Sequence, residues 1–155
     1  MANAVQMLRD DHRHVKSLFK RFEATSSHAQ KKRIVDAALT ELEVHAEIEE
    51  ALFYPAVRQR IGDQFIMDEA DEEHRLAKQL VAELRDMAPG ESHYDAKFIV
   101  LAENVRHHIK EEEEEMFPKI TRSGLDLDTL GEQMAQRKAQ LLPGSLRSRR
   151  RLAHA

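Results

Sequence analysis

Apolar residues recur along this chain at alternating spacings of three and four, and strict apolar-polar alternation is nowhere sustained. The pattern is that of amphipathic helices rather than strands. The first stripe carries Leu8, Val15, Phe19 and Phe22, and the second Ala38, Leu42 and Leu52. The third carries Met67, Ala70, Ala77, Val81 and Leu84, and the fourth Phe98, Leu101, Val105 and Met116. Turn residues separate the stripes at Ser26-Ser27, Gly62-Asp63, Pro89-Gly90 and Ser123-Gly124. Four long helices joined by short turns predict an all-α protein, an antiparallel up-and-down four-helix bundle. A short fifth, C-terminal helix follows, with Thr129 to Glu132 as its capping box and Leu130, Met134 and Leu141 as its apolar side.

Each of the four stripes is interrupted by a histidine. His12 follows Leu8, His45 follows Leu42, His74 follows Ala70 and His108 follows Val105. A buried imidazole without a partner costs about 1–3 kcal/mol, so four of them require something that satisfies them. The segment His45-Ala46-Glu47-Ile48-Glu49 also returns as His108-Ile109-Lys110-Glu111-Glu112, each copy followed by a further acid (Glu50, Glu113) and by a proline ten residues after its histidine (Pro55, Pro118). Four steps of roughly 100° return a helical side chain to within about 40° of its starting direction. His45 with Glu49, and His108 with Glu112, therefore share a face. Counting residues to the nearest turn, at about 1.5 Å each, places all six side chains in one slab of the bundle. A cation would compensate them together; the alternative is a polar core layer.

Composition narrows the chemistry without choosing it. With 155 residues the chain is long enough for one domain with a real core. Charged residues make up 34% and the mean hydropathy is −0.62, with no apolar run of membrane-spanning length, so no membrane partner is expected. The start of the chain lacks the features of a secretory signal, and cysteine is absent, which excludes disulfides, thiolate metal sites and cysteine nucleophiles. A cytoplasmic location is the expectation. The net charge of −4 points to no polyanionic or polycationic partner for the domain.

Imidazole and carboxylate without thiolate suit iron, manganese or zinc, with iron preferred. Two carboxylates shared among four histidines exceed the needs of one ion, and a carboxylate can bridge two. Two six-coordinate ions offer about twelve positions. Four imidazoles, two bridging carboxylates and a bridging oxygen leave about two for exogenous ligands. In the run from Glu111 to Glu115, Glu111 and Glu115 also lie near the face of His108, but their counterparts in the first copy are the apolar Ile48 and Leu52. Glu49 and Glu112 are therefore the expected ligands, and the other glutamates read as a solvated face pairing with Lys110 and Lys119. His14 and His107 point away from the ligand face. His28, His93 and His154 fall in turns or the tail.

Taken in order, Asp11-His12, the segment HAEIEEALFYP, Glu73-His74 and HHIKEEEEEMFP resemble the hemerythrin-like HHE cation-binding domains over roughly Met7 to Ile120. The resemblance implies that His12, His45, His74 and His108 are terminal imidazoles and that Glu49 and Glu112 bridge two iron ions. One position departs from the pattern. Oxygen-carrying hemerythrins have a further histidine one turn after the third helix's ligand, and here that residue is Lys78. Tyr54 is the candidate replacement, because a phenolate binds ferric iron well and Pro55 can bend the helix to aim it inward. The competing reading is that Tyr54, which aligns with Phe117, only packs.

The first functional expectation is an enzyme: a non-heme diiron protein that decomposes hydrogen peroxide in a catalase-like way, with Tyr54 or a water shuttling protons. The second is a binding protein, in which the same centre takes dioxygen or nitric oxide, or senses iron or oxygen, without turnover. Ferritin-like chemistry wants Glu-x-x-His pairs on two helices, and only Asp71-x-x-His74 is present. No His-Glu-x-x-His zinc protease motif occurs. Residues 1–142 are read as the bundle and 143–155 as a basic, disordered tail containing Arg147 and Arg149-Arg150-Arg151. Binding of the tail to nucleic acid or an acidic partner is the sharper but less favoured reading.

Overall fold

The computed structural model describes the backbone of residues 3–154 and the side chains of residues 3–142. Its α-helical segments are α1 (Ala4–Glu23), α2 (His28–Ile48), α3 (Tyr54–Arg60), α4 (Gln64–Arg85), α5 (Tyr94–Glu111), α6 (Phe117–Arg122) and α7 (Leu127–His154). A π-helical turn, Glu49–Phe53, joins α2 to α3, and a second, Glu112–Met116, joins α5 to α6. The seven segments therefore form five continuous rods, with no strand among the described residues.

The chain makes the turns where its capping residues stand. Asn3 accepts the Gln6 N–H at 2.9 Å, Ser27 that of Gln30 at 3.2 Å and Asp63 that of Ile66 at 3.2 Å, each satisfying an amide the helix leaves open. α7 is capped by Asp126, which accepts from Thr129 N at 3.1 Å; this replaces the expected cap at Thr129. Gly90, at φ 93°, turns the chain between α4 and α5.

The rods of α1, α2, α4 and α5 close a four-membered bundle: α1 packs on α2 and α5, and α4 packs on the same two. α7 lies across α1 and α2. Its backbone is helical from Leu127 to His154, longer than the short fifth helix expected and running through positions assigned to a tail. The side chains of 143–155, including the basic cluster, lie outside the described residues. Leu130 and Met134 are buried against the bundle, and Leu141 is partly so.

The apolar core is split in two. One cluster gathers Val15, Phe19, Phe22, Leu39, Phe98 and Leu101 with their neighbours. The other gathers Leu8, Ile48, Phe53, Tyr54, Met67, Phe117 and Met134. Burying a large apolar side chain stabilises by about 1.5–3 kcal/mol, so each cluster has enough such residues to hold its end of the bundle. Between them lies a layer in which buried residues are polar: His12, Glu49, His74 and Glu112.

Leu52, expected in the second stripe, is only partly buried, whereas Phe53 and Tyr54 are fully buried. The π turn is the cause. It adds a residue to the turn, so that the Tyr54 N–H bonds the Glu49 carbonyl five residues back. Pro55 has no N–H to close a regular turn onto Ala51 and its ring crowds that carbonyl, and widening the turn relieves both. Pro118 stands in the same relation to the second π turn, where Phe117 N–H bonds Glu112 O.

Candidate metal centre

α1 supplies His12, α2 supplies His45, α4 supplies His74 and α5 supplies His108, and each π turn begins at a glutamate, Glu49 or Glu112. The two carboxylates are 0% and 1% exposed. All six side chains reach the polar layer between the two core clusters.

The inward atoms sort into two facing groups. His12, His45 and Glu112 offer ligand atoms within 4.8 Å of one another, as do Glu49, His74 and His108. Each carboxylate reaches across to the other group. Glu49 Oε1 lies 3.2 Å from His45 Nε2 and 3.0 Å from His74 Nε2. Glu112 Oε1 lies 3.2 Å from His12 Nε2 and 3.5 Å from His108 Nε2. These contacts are close but poorly aligned. His12 Nε2, His45 Nε2, both oxygens of Glu49 and Glu112 Oε1 are buried without a hydrogen-bond partner. Five orphaned polar atoms spread over the two groups are what bound cations would satisfy.

The outward nitrogens follow a rule of their own. His45 Nδ1 is 2.9 Å from Asp11, His12 Nδ1 is 2.9 Å from Glu113 and His74 Nδ1 is 3.1 Å from Glu50. His108 Nδ1 is 3.4 Å from Glu73, an ion-pair contact. Asp11 of α1 thus orients the histidine of α2, Glu50 after α2 that of α4, Glu73 of α4 that of α5, and Glu113 after α5 that of α1. A closed ring of carboxylates runs round the bundle, each next in sequence to one expected ligand and serving the histidine of the following rod. Such partners fix the tautomer with Nε2 free to face a metal. Glu113 is therefore not part of the solvated face expected for the rest of the Glu111–Glu115 run, and Glu50 is engaged in the same way. The signal was present in the four acids adjacent to Asp11-His12, Glu49-Glu50, Glu73-His74 and Glu112-Glu113, but within-helix periodicity does not report a contact to the next helix.

Tyr54 stands at the middle of the site, 2% exposed. Its hydroxyl donates to Glu112 Oε2 at 2.9 Å and lies 3.1 Å from both His74 Nε2 and His108 Nε2. Its counterpart Phe117 stacks on His12, with ring centroids 5.9 Å apart and planes 2° apart. The two copies of the repeat are thus alike in backbone and unlike in chemistry. Lys78 is half-exposed and pairs with Glu50, with its ammonium drawn toward the rim.

The electrostatics show how strongly the layer wants positive charge. Burial lowers the pKa of His45, but the charge of the nearby Glu49 and the hydrogen bond His45 donates to Asp11 more than offset it and raise the value to about 10. His74 and His108 are also raised against the opposing effect of burial, the first by the close contact and charge of Glu49 and the second by the charge of Glu112. Burial would raise Glu49, yet His45 holds it well below the carboxylate range, whereas burial and the charge of Glu49 push Glu112 up. Burial and the two carboxylates push the Tyr54 phenol well above its ordinary value.

Other histidines lie elsewhere. His14 and His107 are exposed and pair with Glu41 and Glu111, and His28 and His93 are on the surface; the side chain of His154 is outside the described residues. Lys119 pairs with Asp63 at 2.8 Å, away from the glutamate run. A third group of ligand types, Glu73, His107 and Glu111, meets on the α4–α5 surface, where burial and the neighbouring Glu73 and Glu69 push Glu111 up to about 8.

Fold and site together define a class: a helical bundle whose interior is divided by a layer of metal-binding residue types. The family model described as the Hemerythrin HHE cation binding domain matches residues 3–120. The chain belongs to that family. It is similar to the uncharacterized protein Rv2633c of Mycobacterium tuberculosis, 30% identical over 145 residues that cover 90% of this chain and 87% of the relative. It is also 26% identical over 118 residues to a protein of Nostoc sp. named a DNA nickase; the match covers 76% of this chain but only 33% of that protein. A crystal structure of an HHE domain-containing protein, the Rv2633c homolog from Mycobacterium kansasii, superposes with a TM-score of 0.79 at 27% identity, over 97% of this chain and 93% of the other. Among the described residues no helix is long and apolar enough to cross a membrane.

Proposed function

We propose that the two facing groups hold two iron ions joined by an oxygen bridge, and that the centre decomposes hydrogen peroxide in a catalase-like way. One observation carries the reading: the five orphaned buried atoms of His12, His45, Glu49 and Glu112 are shared between two neighbouring ligand groups, with the Tyr54 hydroxyl against Glu112 and the His74–His108 group. His12 and His45 would hold one ion and His74 and His108 the other. Glu49 and Glu112 would serve both, since each already lies between a histidine of either group.

Bound iron would supply the two-electron change that reduces one peroxide to water and oxidises a second to dioxygen. The protein's own groups do the rest. Without metal the Tyr54 O–H donates to Glu112 Oε2; with iron bound that proton would leave and the phenolate would take the place left by the missing histidine, a water then shuttling protons. A phenolate favours the ferric state and disfavours a resting ferrous pair waiting for dioxygen, which sets the peroxide reading ahead of reversible oxygen carriage. The ring of Asp11, Glu50, Glu73 and Glu113 keeps the imidazoles oriented through turnover.

Oxygen evolution after adding hydrogen peroxide to the iron-loaded protein tests the proposal. Sustained release that scales with iron content is expected. A reversible spectral change on adding dioxygen or nitric oxide, with no release from peroxide, would replace this reading with a binding or sensing role.

A further inference from the structure

A cavity of about 380 Å³ opens from the histidine layer toward the rim formed by α1, α2, α4 and α7. Water occupies roughly 30 Å³ in the liquid, so the space exceeds by far what hydrogen peroxide requires. It falls instead within the range of about 300–1,000 Å³ found for small organic ligands. The floor is the site itself, with His12, His45, Glu49, His74 and His108 all lining it. Above them the walls are apolar: Val15, Leu42, Ala77, Val81, Val105 and Ile109.

The rim decides the charge of an occupant. The cavity's two lysines are committed, Lys78 to Glu50 and Lys138 to Asp11 at 2.6 Å. Glu41, Glu43 and Glu47 are likewise engaged, by His14, Arg85 and Arg137. A carboxylate or phosphate would have to break an existing ion pair to enter. A neutral molecule with an apolar body and one polar end meets neither obstacle.

We propose that the centre accepts small neutral organic hydroperoxides, the apolar body lying against Val15, Leu42, Val81 and Val105 and the hydroperoxide end reaching the imidazole layer. The inference rests on the peroxide reading and names a second substrate class for that site. The organic hydroperoxide gains two electrons and two protons as its O–O bond breaks, giving the alcohol and water. Hydrogen peroxide loses two electrons and two protons to give dioxygen. The sum is ROOH + H2O2 → ROH + H2O + O2.

The test uses cumene hydroperoxide and its alcohol product. In the iron-free protein, cumyl alcohol is expected to shift the methyl resonances of Val15, Leu42, Val81 and Val105. In the iron-loaded protein, cumene hydroperoxide with hydrogen peroxide is expected to form the alcohol, with dioxygen accounting for the donated electrons. Val81→Phe, which fills the cavity, is expected to lower kcat/KM for cumene hydroperoxide relative to that for hydrogen peroxide at least about tenfold, a change of roughly 1.4 kcal/mol; Ala77→Leu, at a less crowded wall position, does the same. Methyl shifts absent or scattered over the surface, with hydrogen peroxide turnover intact, overturn this inference and leave the catalase-like reading standing. Loss of turnover with both peroxides while the methyl shifts persist overturns the peroxide reading, and this inference with it.

Discussion

Tyr54 places a buried phenol against a carboxylate and two imidazoles, where a polar atom left unused costs about 1–3 kcal/mol. Phe117 shows that the same backbone position in the other copy accepts a ring without the hydroxyl. Tyr54→Phe is therefore expected to fold and to retain iron. It loses the visible absorption of an iron–phenolate bond and lowers peroxide turnover at least about tenfold, which corresponds to roughly 1.4 kcal/mol on the barrier. Absorption spectra and oxygen-release rates of the two proteins check this; an unchanged visible band removes Tyr54 from the centre. The tyrosine was visible in the sequence only as one of two alternatives, because a residue five beyond Glu49 lies about 140° away on a regular helix. Only the π turn brings it round.

At the level of elements, the carboxylate ring ties each rod to the next, and α7 extends it through Lys138, which bonds Asp11 as Asp11 bonds His45. Orienting partners of this kind are typically worth about 10–100-fold in metal affinity. Asp11→Asn and Glu113→Gln should each weaken iron binding by about that factor in competition with a chelator, whereas Glu103→Gln, an exposed acid outside the ring, should not. Equal affinity in all three would make the ring incidental. The stripes of α1, α4 and α5 were readable from the sequence because regular helices keep one period. Leu52 packs only partly against the core because that period breaks at Glu49, although the proline ten residues after each histidine marked where it would break. The acids of the ring were legible as neighbours of the ligands but not as partners, since pairing between rods depends on how the rods pack.

For the whole molecule, the charge balance of the site makes stability depend on pH in opposite senses with and without metal. His45 has its pKa raised to about 10 in the folded iron-free protein. Its protonation therefore adds stability fully below the unfolded value of about 6.5, and that contribution is lost as pH rises toward 10. Glu49 is held low, so its contribution is present above about 4.5 and is lost as pH falls below that. The iron-free protein is expected to be most stable between about pH 4.5 and 6.5, with a falling Tm from pH 6.5 to 10. Iron replaces those protons, so the loaded protein should gain stability over the same alkaline range. At a free-metal concentration one hundred times Kd the gain is about 2.7 kcal/mol, or roughly 5–10 °C in Tm for a domain of this size. Parallel melts across pH check the sign; an iron-free protein whose Tm rises from pH 6.5 to 10 contradicts it.

The central claim is a pair of ions between two groups of three ligands, and anaerobic titration with ferrous iron, read as bound metal per chain, tests it most directly. Saturation at two irons per chain is expected in the natural protein, with one of them bound markedly more weakly in His74→Ala, which removes one of that ion's two imidazoles. Saturation at one ion, or no binding at all, would contradict it and return the histidine layer to a polar division of the core.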